Sequence, residues 1–364
     1  MHTAKKTKKE KDMLDFYRDK TVLITGHTGF KGAWLTTMLV NAGANVIGYS
    51  SCSKEDPRLF DMCGVKDQIT HIKGDVRDYG GFMFTLIKYR PEIVIHMAAQ
   101  PLVREGYKDP MFTYMVNTVG TLNVLESMRQ IKCVKSFLNV TTDKVYDNRE
   151  WDWGYRESDA LNGADPYSNS KSCSELITSS YARSYFEGLT AVSTARAGNV
   201  IGGGDFAKDR IIPDCVRAAA AGREIVLRNP DSIRPYQHVI EALYAYLMIA
   251  QKQYEDPSLA GSYNVGPESS SCIKTSDLVR LFVRKWGEDT GWTEEENDGP
   301  KEAGILKLDN SKIAGKIGWK PVWNIEKAVE KTVELSKCIM SDEDIRGCMD
   351  RQIEEYEKDR RKTF

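Results

Sequence analysis

The chain has 364 residues, of which 41% are hydrophobic and 28% charged, and its 51 Lys and Arg against 52 Asp and Glu leave a formal net charge of −1. That length allows one large domain or two smaller ones sharing a cleft, and the composition is that of an ordinary globular protein. The charge balance excludes an overall pull toward nucleic acid or an anionic membrane, and no apolar run of about 18 residues is present to span a bilayer.

The first stretch, Met1-His2-Thr3-Ala4-Lys5-Lys6, is basic but is followed by none of the apolar sequence a secretory signal needs. Residues 1–17 are therefore expected to form a frayed basic tail, and the chain to be cytoplasmic. The eight cysteines show neither C-x-x-C pairs nor zinc spacing, so they read as reduced thiols and no metal site is expected.

From there strand runs alternate with helical stretches. Thr21–Thr25, Asn45–Tyr49, Ile93–Met97 and Ser136–Val140 are short β-rich runs, Trp34–Ala42 and Thr121–Ile131 are helical, and Thr190–Ala195 continues the strand series. Strands alternating with helices predict a parallel sheet covered on both faces. After about Asn199 the pattern changes to Gly202-Gly203-Gly204, a helix over Ile212–Ala221, and further short elements. The expected fold class is α/β, a Rossmann-type doubly wound parallel sheet with a smaller, interleaved C-terminal substrate-binding lobe. The expected divisions are 18–198 for a dinucleotide-binding domain carrying the catalytic residues and 199–340 for the smaller lobe. Residues 341–364 read as a charged C-terminal helix without evident chemistry.

The first strand runs into Gly26-His27-Thr28-Gly29-Phe30-Lys31-Gly32 and then a helix. This G-x-x-G-x-x-G spacing lets the backbone turn tightly and approach a pyrophosphate, with free N–H groups at the helix start facing its charge. The acidic residue expected after the second strand, to hold a ribose diol, is replaced by Tyr49-Ser50-Ser51-Cys52. Lys54 and Arg58 follow, so this loop does not decide between NAD and NADP.

Tyr167 and Lys171 stand four apart, on one face of a helix that Asp165-Pro166 begins. A nearby ammonium lowers a phenol's pKa and lets it act as a base. The fourth strand ends in Thr141-Thr142-Asp143-Lys144, at the sheet edge where ligands sit in such folds. There Thr142 offers a hydroxyl, Asp143 an acid and Lys144 an amine. The plainer alternative is a capping turn in which Asp143 satisfies backbone donors.

The fingerprint Gly26 to Gly32 resembles that of the CDP-glucose 4,6-dehydratases, within the extended short-chain dehydrogenase/reductase family. So do Thr142-Asp143-Lys144 with Tyr146–Trp151 and Trp153–Glu157, Asp165-Pro166-Tyr167-Ser168, Arg196–Asp205, Arg234–Val239, Leu306–Asp309 and Gly318–Pro321. The resemblance covers roughly residues 18 to 335. The dTDP and GDP branches usually carry Asp-Glu where this chain has Asp143-Lys144, which resembles the CDP branch.

The resemblance implies a lyase that converts CDP-D-glucose to CDP-4-keto-6-deoxy-D-glucose and water through bound NAD. Tyr167 would take the O4 proton with Thr142 sharing that hydrogen bond, and Lys171 would hold the cofactor ribose. Asp143 would protonate the leaving 6-hydroxyl. Lys144 would be either the C5 base or a stabiliser of the enolate. The cofactor would lie along Gly26–Gly32, Asp75, Val76, Ala98 and Ala99, with Tyr167 and Lys171. The nucleotide-sugar substrate would meet Gln100, Asn199, Arg210, Arg234 and His238, although His238 reads equally well as a packed histidine. The helices around Phe112–Met128 and Ser168–Phe186 look like the pair that forms an intersubunit four-helix bundle in the family, so a homodimer or a dimer of dimers is expected. The rival readings are an epimerase or another sugar-nucleotide dehydratase on the same scaffold, and a non-enzymatic dinucleotide sensor. An epimerase expels no hydroxyl and needs no Asp143, and a sensor typically lacks one of Tyr167 and Lys171.

Overall fold

The computed structural model describes residues 13–51, 58–287, 290–295 and 304–363. The first part alternates β1 (Thr21–Thr25), α1 (Phe30–Asn41), β2 (Asn45–Ser50), α2 (Leu59–Met62), β3 (Thr70–Lys73), α3 (Tyr79–Tyr89) and β4 (Ile93–His96). It continues through α4 (Val103–Lys108), α5 (Pro110–Tyr114), a π-helical turn at Met115–Val119, α6 (Gly120–Ile131), β5 (Ser136–Thr142), α7 (Pro166–Tyr181) and β6 (Ala191–Ala197). Every residue of β5 and β6 is buried, as a parallel strand covered on both faces requires.

After β6 come β7 (Asn199–Ile201), α8 (Ile211–Ala220), β8 (Ile225–Leu227), β9 (Ile233–His238) and α9 (Val239–Glu255). Then follow β10 (Ser262–Val265), β11 (Cys272–Lys274), α10 (Thr275–Trp286), β12 (Trp292–Glu294), α11 (Ser311–Lys316), α12 (Ile325–Met340) and α13 (Ile345–Thr363). The large sheet has seven strands in the order β10-β6-β5-β4-β1-β2-β3, and all its pairs are parallel. β7, β9 and β11 form a second sheet, and β8 pairs with β12. The return of β10 to the large sheet, beside β6, interleaves the two parts of the chain.

Two apolar layers flank the sheet. On one face α1 and the middle of α9, Val239 to Ala250, apolar apart from Glu241, pack around Ile24, Ile95, Leu138 and Val140. A helix buried on all sides carries no polar stripe, and α9 fits that description. On the other face α3 and α6 bring Phe82, Leu86, Val124 and Leu125 against Leu23, Val94 and Phe137. Each such side chain removed from water contributes about 1.5–3 kcal/mol.

The expected N-terminal tail needs correction, and the expected C-terminal helix gains a packing role. Residues 13–17 belong to the fold: Met13, Leu14 and Tyr17 are buried, and the Tyr17 hydroxyl donates to Leu247 O at 2.6 Å. An aromatic ring with a satisfied hydroxyl holds that short turn against α9. Met1–Lys11 and Asp12 lie outside the described residues. The charged C-terminal segment is a docked helix, since α13 buries Ile345, Cys348, Met349, Gln352, Ile353 and Tyr356 and leaves its charges outward. Its apolar positions recur at helical spacing, which gives it one buried stripe. No described helix is long and apolar enough to cross a membrane.

Candidate active site

The turn after β1 is closed by contacts that only glycine allows. Gly26 has φ +76°, and a Cβ there would lie 2.8 Å from Ala98 N. A Cβ on Gly32 would lie 2.2 Å from Gly26 O, so helix and turn meet backbone to backbone. Thr25 Oγ1 fastens the neighbouring strand end by accepting from Met97 N and Ala98 N at 3.1 Å. No side chain caps α1 at Gly29, and around Gly29 a Cβ would meet only Gly26 O at 3.5 Å. The first-turn N–H groups of α1 thus face an open cradle, the arrangement that receives a pyrophosphate. These residues fit a dinucleotide.

The two candidate histidines do not face that cradle. The His27 ring is fully buried, edge-on to Phe60, with Nε2 2.6 Å from His71 Nδ1. Burial first, then the neighbouring His71, pushes it down to about 3, so it is a neutral core residue. It also explains Gly48, where a Cβ would lie 2.3 Å from that ring. His238 is fully buried between Trp34 and Trp323, and its Nδ1 caps α9 by accepting from Ile240 N. Burial pushes it down to about 3 as well, so the packed reading of His238 replaces the substrate contact. Gln100 is corrected too. Its amide donates to Thr113 Oγ1 at 2.9 Å and its oxygen accepts from Leu102 N at 2.6 Å, which spends the side chain on bracing its loop against α5.

At the far end of the cradle, Thr28 Oγ1 lies 2.8 Å from Ser50 Oγ. The Asp75 carboxylate is clamped by Arg77, with Nη2 to Oδ2 at 2.7 Å, and that guanidinium holds it below the usual carboxylate range. Arg58 pairs with Asp61 at 2.6 Å; Cys52 and Lys54 lie outside the described residues.

The sheet edge brings the remaining candidates together. Asp165 caps α7 by accepting from Ser168 N at 3.0 Å, and Pro166 occupies the first turn. This sets Tyr167 and Lys171 facing the end of β5. Lys171 Nζ donates to Val140 O at 3.2 Å; burial pulls it down to about 8 against the opposing charge of Glu175. Tyr167 is pushed up to about 12, chiefly by burial, with the Thr142 hydroxyl and Arg210 acting downward. The expectation that Lys171 lowers this phenol therefore does not hold for the chain alone, because desolvating the phenolate outweighs the cations around it.

Asp143 is fully buried. Its Oδ1 accepts from Thr142 Oγ1 at 2.9 Å and from Lys144 Nζ at 3.3 Å, while its Oδ2 is buried with no hydrogen-bond partner. The capping role belongs instead to Thr142, whose Oγ1 accepts from Lys144 N. Lys144 Nζ also donates to Asn199 Oδ1 at 3.3 Å. Arg210, paired with Asp205 at 3.1 Å, acts on both Tyr167 and Lys31. Arg234 is buried in the second sheet and donates to Ile233 O and Gly304 O.

Tyr246 and Glu175 escaped the motif reading, and Lys31, already within the fingerprint, takes an added part. Lys31 links the cradle to the corner: burial and Arg210 lower it to about 7, opposed by Asp143 and Asp205. Tyr246 of α9 brings a buried hydroxyl without a partner close enough for Tyr167 and Asp143 to act on it. Glu175 is charge-paired with Arg196 under the corner at 2.9 Å. A signal existed only for Glu175, which stands one further turn along the Tyr167–Lys171 face. Lys31, Lys144 and Arg210 gather around Asp143 and Asp205, with Lys171 beside Lys31, more basic groups than acidic ones and so suited to a diphosphate. Among the described residues no His, Cys, Asp and Glu cluster could hold a metal, and Cys63, Cys133, Cys173, Cys215, Cys272, Cys338 and Cys348 are free thiols.

A family model described as GDP-mannose 4,6 dehydratase matches residues 23–332. A CDP-glucose 4,6-dehydratase of Salmonella typhimurium is 42% identical over 349 residues, covering 94% of this chain and 97% of that protein. Among solved structures, dTDP-glucose 4,6-dehydratase of Bacillus anthracis in complex with NAD aligns with a TM-score of 0.74 at 19% identity, over 86% of this chain and 95% of that one. UDP-glucose 4-epimerase of Thermotoga maritima with UDP-glucose aligns at 0.76 and 20% identity, over 88% and 99%. At such identities the two structures show a shared fold.

Proposed function

The chain belongs to the GDP-mannose 4,6 dehydratase family of sugar-nucleotide enzymes, and from that premise we propose that it is a CDP-D-glucose 4,6-dehydratase, a lyase releasing CDP-4-keto-6-deoxy-D-glucose and water. The observation that carries the reading is Asp143, fully buried beside Thr142 and Lys144 with one carboxylate oxygen unpartnered. A buried carboxyl aimed at the oxidising corner suits an acid for a departing hydroxyl. The CDP preference rests on the resemblance of Asp143-Lys144 and on the Salmonella relative.

NAD would be held along Gly26–Gly32 with Val76, Ala98 and Ala99, and would supply a hydride acceptor for C4 and a donor for C6. Tyr167 takes the O4 proton, helped by Thr142 and by the cations around it. Lys171 holds the cofactor ribose. Asp143 protonates the departing 6-hydroxyl. Lys144 either takes the C5 proton as a neutral amine or stabilises the enolate as an ammonium; its salt bridge to Asp143 favours the second role, in which the Asp143 carboxylate takes the C5 proton and delivers it to the departing 6-hydroxyl. Asn199 and Arg210 stand where sugar and diphosphate would lie, and Arg234 further along the second sheet. Met111, Phe112, Met115 and Leu176, exposed on α5, the π turn and α7, support a homodimer or dimer of dimers joined through those helices.

The test is to incubate the purified protein with CDP-, dTDP-, GDP- and UDP-sugars and follow the alkaline absorbance of a 4-keto-6-deoxy sugar. CDP-glucose should have the highest specificity constant, with no stoichiometric loss of added NADH. A higher value for dTDP-glucose would overturn the substrate assignment, and a C4 epimer without the alkaline chromophore would favour an epimerase. Titration with both cofactors checks NAD, and tighter NADP binding would reverse that choice.

A further inference from the structure

Beneath the corner lies a buried ion pair that the proposed chemistry does not use. Glu175 and Arg196 have side-chain exposures of only 2% and 4%, with Nη2 2.9 Å from Oε2. Each oxygen of Glu175 has further partners. Oε1 accepts from Thr141 Oγ1 at 2.5 Å, and Oε2 accepts from Thr194 Oγ1 at 2.8 Å. Arg196 Nη1 donates to Tyr146 Oη at 2.9 Å and to Glu157 O at 3.1 Å. Tyr146 in turn donates to Asn264 Oδ1 at 2.6 Å, and Asn264 Nδ2 reaches Tyr155 O and Asp309 O. One carboxylate therefore ties α7 to β5 and β6, and through Arg196 to the loop after the corner and to β10.

Such a pair is weak evidence of a purely stabilising role, because two buried charges of this kind are often no better than an apolar filling, while losing one partner leaves the other stranded. Its placement points to the site. Glu175 stands one turn beyond Lys171 on the same face of α7, and Thr141 immediately precedes Thr142. The titratable groups around Lys171 are Tyr167 and Glu175 of its own helix, His96 of β4 and Lys31 of α1, with Arg196 of β6 and Asp143 beyond them, and burial keeps the Tyr167 phenol neutral. His96 is held neutral by burial, down to about 3, and Lys31 is a like charge. Glu175 is thus the group that favours an ammonium on Lys171.

We propose that Glu175 is a positioning residue for the reaction: held by Arg196 and Thr141, it locks the Thr142 strand end against α7 and keeps Lys171 charged to hold the cofactor. The inference rests on the dehydratase reading only for what Lys171 does in turnover.

The test measures NAD affinity against pH, with melting temperature and CDP-glucose turnover in the same preparations. In the wild type, affinity should fall on the alkaline side as Lys171 loses its proton. In Glu175→Gln that fall should move toward acid by about one pH unit, and Glu175→Asp, which keeps the charge, should restore its position. The double variant Glu175→Gln/Arg196→Gln removes both charges, so a foldable partner remains if the single variant proves unstable, and its alkaline fall should also lie below that of the wild type. If the fall in affinity keeps its wild-type pH in both Gln variants and only melting changes, the pair is structural and the proposal fails. If the pH shift appears but the wild type turns over no CDP-sugar, the dehydratase reading fails and the role of Glu175 stands.

Discussion

At the scale of single residues, the proposed reaction divides between two buried side chains at one corner. Tyr167 serves oxidation at C4, whereas Asp143 serves loss of the 6-hydroxyl. Tyr167→Phe should nearly abolish both cofactor reduction and product. Asp143→Asn keeps shape but removes the acid, and general acid catalysis typically contributes on the order of 10² to 10⁴ in rate. Dehydration should slow by about that much while oxidation survives, so enzyme-bound NADH should accumulate and show as a new absorbance band on mixing with substrate. An Asp143→Asn protein that turns over normally, or loses NADH formation as fully as Tyr167→Phe, would remove Asp143 from the role of acid.

At the scale of elements, the turn between β1 and α1 separates two uses of glycine. Gly29 has open space and a φ of −73°, so Gly29→Ala should leave the melting temperature within about 2 °C, a change of less than about 0.5 kcal/mol. It should nevertheless weaken NAD binding at least tenfold, because the new methyl enters the cradle. In Gly32→Ala the methyl meets backbone at 2.2 Å, and overpacking of that kind costs about 1–3 kcal/mol. That variant should lose both stability and cofactor affinity. Calorimetry beside cofactor titration checks the pair, and equal melting losses in both variants would show that the turn is not an open cradle. The strand–turn–helix pattern was readable from glycine spacing alone. What lines the floor of the turn was not, since His27 turns under the sheet to meet His71, a residue 44 positions away.

At the scale of the whole molecule, Glu241 of α9 joins the C-terminal helix to the rest of the fold. It is fully buried and accepts from Val322 N, Trp323 N and Tyr356 Oη. Burial outweighs these hydrogen bonds and pushes it from 4.5 up to about 7. A carboxyl raised in the folded state stabilises below its unfolded pKa, and that contribution is lost as pH rises through the folded one. Between about pH 4.5 and 7 the loss amounts to roughly 3 kcal/mol. The melting temperature should therefore fall more steeply from pH 5 to pH 8 in the wild type than in Glu241→Gln, and parallel curves would show that Glu241 does not titrate there. For the assembly, replacing exposed Met111 and Leu176 together by Glu should convert the proposed dimer to monomers in sedimentation analysis, with the monomer fold retained.

The sequence by itself determined the alternation of strands and helices, the glycine turn, and the Tyr167–Lys171 spacing, because each depends on short-range periodicity or on backbone rules a few residues long. It also placed Thr142, Asp143 and Lys144 at a strand end, since the β run before them is unbroken. Only the tertiary structure decided what those residues face. Burial lifts the Tyr167 phenol rather than lowering it, and the capping hydroxyl proves to be Thr142 rather than Asp143. His238, Gln100 and the His27 ring are spent within the chain, residues 13–17 close the core instead of fraying, and the expected C-terminal helix docks by a buried stripe. Each of these outcomes turns on desolvation or on a partner distant in sequence, and neither is encoded in local pattern.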